Sequence, residues 1–368
     1  MTTRETTPDK GATAPFGARR HRFGYWSVTF AFLVLVGFST VPSPLYGLYA
    51  HRDGFSSFVI TLIYGAYTLG VAASLFFTGH LSDLHGRRPL LLAALAAAAT
   101  SAVVFLSWPE LPGLFVARVL TGLSVGVTAS TATAYLTELH AAHRPTAPVR
   151  RAQLTASAAN VGGLGFGALA AGLLAQHAGH ALTVPYLVFL ALIIIATAAI
   201  LLAPETRFRP DPLPAYRPQR MAVPHHSRAQ FAAALLGVVV AFAVLGMFVG
   251  LAGTFLSATL HHTSLALAGG TVFLVFAVGV VVLAGTNTWP IRRLLVLGVA
   301  LMLAGLALVV VAAWLPAPSL VVFLTGGAVI GGGGCAVFKT ALTIVVGVGV
   351  LVATPTLLRY GKTPGPEW

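Results

Sequence analysis

The chain has 368 residues, of which 57% are hydrophobic and 8% are charged, and its mean hydropathy is +0.87. A soluble domain of this length cannot bury so much apolar surface, so the composition excludes a soluble globule and indicates a membrane protein. The net charge of +13 does not indicate a nucleic-acid partner, because the basic residues punctuate apolar runs instead of clustering on one folded face.

Ten apolar runs are long enough to cross the hydrocarbon core, which takes about 20 residues of helix. In chain order they are 25–49, 56–78, 89–108, 111–136, 152–177, 182–203, 229–260, 264–284, 294–315 and 318–346. Backbone polar groups in lipid need internal partners, and these runs lack the alternation of barrel strands. We therefore predict an all-α, polytopic membrane bundle of about ten transmembrane helices, six plus four, with a C-terminal stub.

The basic residues fall on one side of the membrane if the spans alternate in direction. The two tails and every second connection hold 19 of the 22 Lys and Arg, whereas the opposite connections hold only Arg52. The positive-inside rule then predicts a multi-pass protein with a cytoplasmic N-terminus, which we assign to the cell (plasma) membrane. We expect it to work in the lipid bilayer as a monomer.

The segment 204–228 divides the chain, because it is rich in proline and arginine and has no apolar period. The predicted organisation is a cytoplasmic tail at 1–24, a six-helix half at 25–203, a cytoplasmic linker at 204–228, an incomplete second half at 229–358 and a cytoplasmic tail at 359–368. A pair of arginines occurs after the second span and again after the eighth. Parallel repeats of this kind are typical of transporters, whose substrate site lies near the midplane between the repeats.

The stretch "GHLSDLHGRRPL", residues 79–90, joins the second and third spans and concentrates charge in a few positions. Its candidate residues are Gly79, Leu81, Ser82, Asp83, Gly86, Arg87 and Arg88. The dipole of the third helix favours a carboxylate near its N-terminus, and the arginines offer charge-assisted partners. A simple positive-inside loop explains the arginines but not the whole pattern.

This stretch resembles the signature loop of the Major Facilitator Superfamily, although Leu84 stands where that loop usually has a basic residue. Two further segments are similar to motifs of the same superfamily: Arg118, Gly122 and Gly126 in the fourth span, and Gly163, Gly167 and Gly172 in the fifth. The fifth-span pattern is that of the antiporter branch, with Ala168 in place of a proline. Small residues at this spacing also occur wherever membrane helices pack closely.

The resemblance covers residues 25 to 346 and implies a secondary transporter that moves a small organic solute by alternating access, with residues 79–88 as a conformational latch. Its antiporter-like segment implies efflux. Proton coupling rests on the resemblance alone, because none of the nine acidic residues lies in the middle of a span.

Charged and polar residues inside spans are the candidates for coupling or substrate binding. Arg118 is predicted about 10 Å deep, where it either holds an anionic or proton-coupled group or snorkels to the interface. The other candidates are Tyr46, Tyr64, Tyr67 and Asn160, which would suit an uncharged or amphipathic solute. Near the ends of their spans, Lys339 is predicted to snorkel and Glu138 to be an interfacial residue.

Enzyme signatures fail on their context, so no enzymatic activity, catalytic residue, metal or cofactor is predicted. "GLSVG" at 122–126 lies inside an apolar helix instead of a strand–turn–helix, and "GGGGCAVFKT" lacks the glycine that a phosphate loop needs before its lysine. The single cysteine, Cys335, can form no intrachain disulfide.

The second half is shorter than the first by the length of one or two helices, whereas the superfamily has twelve spans. We expect this to leave the partner surface of the fifth span uncovered. The alternative hypothesis is therefore a truncated membrane protein that does not transport and has at most an interaction role.

Overall fold

The computed structural model describes residues 15–78, 86–144, 147–206, 228–286, 288–316 and 318–360. Their helices are α1 (Pro15–Thr40), α2 (Tyr46–Asp53), α3 (Ser57–Thr78), α4 (Arg87–Ser107), α5 (Leu111–His143), α6 (Arg150–His177), α7 (Val184–Leu202), α8 (Arg228–Ala258), α9 (Leu265–Gly285), α10 (Ile291–Trp314) and α11 (Leu320–Tyr360). Among these residues there is no strand, and ten spans are long and apolar enough to cross a membrane. The predicted all-α bundle is confirmed.

The first span is present as predicted, but its helix is interrupted between Thr40 and Tyr46, which the prediction did not include. Its first part, α1, ends at Thr40, and a 3-10 turn at Ser43–Leu45 leads into α2. Pro42 and Pro44 interrupt the ladder because proline has no backbone N–H to donate. After this break, the side chains of Tyr46 and Tyr49 point into the interior of the protein, where both are buried.

The last helix is longer than predicted. We expected a tenth span over 318–346 followed by a stub, but α11 continues as helix from Leu320 to Tyr360. Pro355 does not end it. The stub is therefore a helical continuation of the tenth span.

Two ends of the bundle differ in charge. The N-termini of α4, α6, α8 and α10 carry Arg87, Arg150, Arg228 and Arg292, and we call this the arginine-rich end. The opposite end, where α3, α5, α7, α9 and α11 begin, we call the arginine-poor end. Helices α1 to α7 share one large apolar core, and α8 to α11 surround a smaller one. We call α1 to α7 the first group of helices and α8 to α11 the second group.

Glycines bring several helices of the first group into backbone contact. A Cβ on Gly122 of α5 would overlap the carbonyl oxygen of Tyr67 in α3, and a Cβ on Gly167 of α6 would overlap that of Gly37 in α1. Gly126 packs against Ser74, and Gly163 against Leu33. Small residues let membrane helices approach this closely, so the dispersion contacts between them are dense.

The two groups of helices meet chiefly where α6 packs along α9. Gly172 and Gly269 face each other there, and the backbone N–H of Leu265 donates a 2.8 Å hydrogen bond to Oε1 of Gln176. The expectation of an uncovered surface on the fifth span is therefore wrong, because α9 covers the part of α6 nearest the arginine-poor end.

Candidate transport site

Arg118 lies fully buried inside the first group of helices. It is seven residues into α5, which places it about 10 Å from the arginine-poor end. Its guanidinium carbon is 4.7 Å from the ring centre of Tyr67, 4.8 Å from that of Tyr64 and 5.9 Å from that of Tyr46. We call these three side chains the tyrosine cage. Of the two roles predicted for Arg118, snorkelling to the interface is excluded by its zero exposure.

The cage stabilises the guanidinium without a carboxylate. Nη1 of Arg118 donates a 2.6 Å hydrogen bond to the carbonyl oxygen of Ser39, at the end of α1. The electron-rich ring faces attract the cation, which is worth about 2 kcal/mol or more when the pair is desolvated. Among the described residues, no Asp or Glu forms an ion pair with Arg118. The cage therefore keeps a net positive charge.

Two polar atoms in this cluster have no partner. In the described part of the chain, Nε of Arg118 and the hydroxyl of Tyr46 are buried and make no hydrogen bond. A buried donor without an acceptor costs about 1–3 kcal/mol. Both atoms can donate, so the cluster can bind a hydrogen-bond acceptor that the protein itself does not supply.

Tyr64 links the cage to the second group of helices. Its hydroxyl forms a short hydrogen bond with Ser43 in the 3-10 turn, and its ring lies against Gly250 of α8, where an added Cβ would be 2.9 Å from a ring carbon. The same ring packs against a small apolar cluster, formed by Ala168, Val249, Val272 and Phe276, to which both groups contribute. We call this cluster with Tyr64 the seal.

The structure does not bring Asn160 into the cage. Asn160 lies on α6, partly exposed and one helical turn from Leu164, which packs against the seal on the side of the arginine-rich end. Lys339 contacts the C-terminal end of α9. Its Nζ donates to the carbonyl oxygen of Leu283 at 3.3 Å and to that of Thr286 at 3.5 Å. Cations are favoured at the C-terminus of a helix.

The arginine-rich end carries a network of carboxylates and arginines. Arg87 donates from Nη2 to Oε1 of Glu138 at 3.0 Å, and its side chain is only 7% exposed. The carboxylate of Glu205 accepts the backbone N–H groups of Arg87 and Arg88, each at 3.0 Å. Glu205 thus caps the N-terminus of α4, where the helix dipole favours an anion.

The ion pair of Glu138 with Arg87 was not predicted, and Glu205 was missed altogether. Gly86 fits the network because its φ of 95° is a conformation that other residues rarely adopt, and a Cβ there would lie 2.9 Å from Oε2 of Glu205. The remaining residues predicted for the latch, Gly79, Leu81, Ser82 and Asp83, lie outside the described residues.

The fold and site together are those of a polytopic membrane transporter: two groups of long apolar helices meet at a narrow seal, beside a buried cation. The model of the Major Facilitator Superfamily matches residues 28–353. The chain belongs to this superfamily of secondary transporters, as its loop and span motifs predicted.

One curated relative is the arabinose-proton symporter of Bacillus subtilis (strain 168). It is 31% identical over 106 residues, and the matched segment spans 28% of this chain and 23% of the symporter.

Three solved structures have the same fold. The bacterial homologue of the human lysosomal transporter Spinster, in an inward-facing and unoccupied conformation, has a TM-score of 0.69 at 15% identity, with 91% of this chain and 79% of that chain covered. A mutant of the nucleoside transporter NupG has a TM-score of 0.64 at 11% identity, covering 88% and 82%. The human organic anion transporter MFSD10 has a TM-score of 0.53 at 18% identity, covering 90% and 93%.

Proposed function

We propose that the chain moves a small organic solute across the cell membrane by alternating access, with the arginine-rich end in the cytoplasm. The observation that supports this is the position of the seal. The seal, the Gly172–Gly269 contact and the Leu265–Gln176 hydrogen bond all lie toward the arginine-poor end. With this orientation, the contacts that we propose to open lie on the outer side of the membrane.

The charge at the arginine-rich end is consistent with this assignment. Arg150 at the start of α6 and Lys339 of α11 belong to different groups of helices, and both are basic residues near the arginine-rich end. Like charges disfavour close approach of the two groups at this end. In the opposite state, α8 would move off Tyr64, and Arg87 and Arg88 would change partners at the cytoplasmic side.

We place the solute against the tyrosine cage. The unpartnered donors of Arg118 and Tyr46 call for a hydrogen-bond acceptor, and the rings of Tyr64 and Tyr67 offer apolar faces. A small amphipathic molecule with an acceptor-rich or anionic group satisfies both. Tyr64 belongs to both the tyrosine cage and the seal, which couples solute contact to opening of the seal.

Export is our prediction for the direction, supported by the resemblance of the fifth span to the antiporter branch. The arabinose-proton symporter is named for moving its solute together with protons, so uptake is the competing outcome of the test. Proton coupling is proposed on the superfamily resemblance alone. The described spans add no support, because they place no carboxylate in an ion pair with Arg118.

The test is solute flux in liposomes that contain the purified chain, loaded from either side with a panel of dyes, antibiotics and sugars, while a pH-sensitive dye reports protons. We expect saturable flux that is at least tenfold lower in Arg118→Gln. The matched control is Arg52→Gln, an exposed arginine at the same end, which should keep its flux. If folded and correctly oriented protein moves no solute, the transport proposal fails and the non-transporting membrane protein remains. If flux survives in Arg118→Gln, the cage is not the site.

A further inference from the structure

We propose that the arginine pair at the start of α10 binds the headgroup of an anionic phospholipid. Trp289, Arg292, Arg293, Val296, Leu297 and Ala300 line a shallow, open groove at the arginine-rich end, and the exposed lining of this groove is almost entirely apolar. Both arginines are exposed, and neither forms an ion pair within the part of the chain that the structure describes.

The first group of helices shows what this architecture binds. Arg87 and Arg88 stand at the start of α4 as Arg292 and Arg293 stand near the start of α10. At α4 the carboxylate of Glu205 accepts the first two backbone N–H groups, and Glu138 pairs with Arg87. An anion therefore occupies the N-terminus of α4, and the chain supplies it.

The second group cannot supply an equivalent anion. No Asp or Glu occurs anywhere in the sequence between Asp211 and Glu367, so α8 to α11 contain no acidic residue. The N-cap of α10 is Pro290, which makes no side-chain cap hydrogen bond. The first N–H groups of a helix are a ready anion site, especially beside two guanidinium groups. The missing acid therefore has to come from outside the second group of helices.

The shape of the groove favours a lipid over a free phosphate. Val296, Leu297 and Ala300 follow Arg293 at helical spacing, so the groove continues for about 10 Å along an apolar surface below the charges. Trp289, 47% exposed, is the residue type enriched at the membrane interface. The two arginines match the phosphate of a phospholipid headgroup, and the apolar surface below them matches its hydrocarbon chains. Anionic lipids are also enriched in the cytoplasmic leaflet, and our proposed function places the arginine-rich end at that leaflet.

The test compares lipid binding to the purified full chain in detergent, by native mass spectrometry and by the shift in thermal unfolding. The lipids are dioleoyl phosphatidylglycerol and dioleoyl phosphatidylcholine, with inorganic phosphate as a third arm. The variant is Arg292→Gln with Arg293→Gln. Its matched control is Arg150→Gln with Arg151→Gln, an exposed pair at the same end and also at the start of a helix.

We expect phosphatidylglycerol to bind in preference to phosphatidylcholine, and to bind about 25-fold more weakly to the first double variant, since each arginine near an anionic surface contributes roughly fivefold. The control should weaken binding much less, because Arg150 and Arg151 are not among the residues that line the groove. Equal binding of the two lipids, or equal weakening in both double variants, overturns the proposal, because either means a diffuse positive surface. Competition by inorganic phosphate means a free-anion site instead. The readout does not depend on transport.

Discussion

The contact between α6 and α9 gives a direct test of the closed state. In Gly172→Ala, the new methyl group would overlap the carbonyl oxygen of Leu265 and lie 3.1 Å from Cα of Gly269. Carbon atoms at their optimum are about 3.5–4.0 Å apart, so the two helices must separate by about half an ångström or more. Overpacking of this kind costs about 1–3 kcal/mol.

The cost falls on one conformational state. Gly172 and Gly269 belong to different groups of helices, and in the proposed state that is open at the arginine-poor end they would no longer meet. The ratio of closed to open molecules should therefore fall by about 5- to 150-fold. Gly162→Ala on the same helix is the matched control, since nothing lies within 4 Å of a Cβ there.

The assay is the labelling rate of a cysteine inside the seal. Val272→Cys serves as the probe, because Val272 is 1% exposed, and Cys335→Ala removes the native thiol. A membrane-impermeant maleimide added outside intact cells should label the probe faster with Gly172→Ala than with Gly162→Ala. Equal rates in two proteins that fold equally well would refute the reasoning. If Gly172→Ala does not fold, Gly269→Ala tests the same contact from α9.

Three further predictions concern the stability of the purified chain, measured as thermal unfolding in detergent. Glu138→Gln should lower the unfolding free energy by about 2 kcal/mol. A fully buried ion pair would lose more, but the Glu138 side chain is 28% exposed. Glu110→Gln is the comparison and should change the unfolding free energy little. Gly86→Ala should lose about 1–3 kcal/mol, because its φ of 95° strains any side chain; Gly47→Ala, with open space around it, is the neutral comparison. Lys339→Met should lose about 1 kcal/mol at the end of α9, and Lys339→Arg should restore most of it. Equal stability of a variant and its comparison would contradict the corresponding contact.

Much of the fold follows from the sequence because hydrocarbon imposes one simple condition. A run of about 20 apolar residues has to be a helix, and its boundaries are marked by charge or proline. The ten spans and the depth of Arg118 could be predicted in this way. The break at 41–45 could also have been found, because Pro42 and Pro44 stand two residues apart.

The partners of each residue could not be predicted, because they lie far away in the chain. Glu138 is 51 residues from Arg87, and Glu205 is 118 residues from it. A glycine at helical spacing indicates that something packs closely, but not which helix does. Gly172 was predicted as a packing glycine. Its partner Gly269 could not be predicted, because the contact depends on how α6 and α9 lie against each other.

The permanent charge of Arg118 has a consequence for ions that are not transported. A guanidinium stays protonated at every physiological pH, and here no carboxylate in the described residues neutralises it. If the arginine-poor end faces outward and the seal opens as proposed, this charge would stand about 10 Å below the outer surface in a medium of low dielectric constant. It would then repel sodium and potassium ions at the entrance of the pathway, much as an arginine excludes cations from a selective pore. We expect such repulsion to limit the leak of these two cations through the carrier while its seal is open.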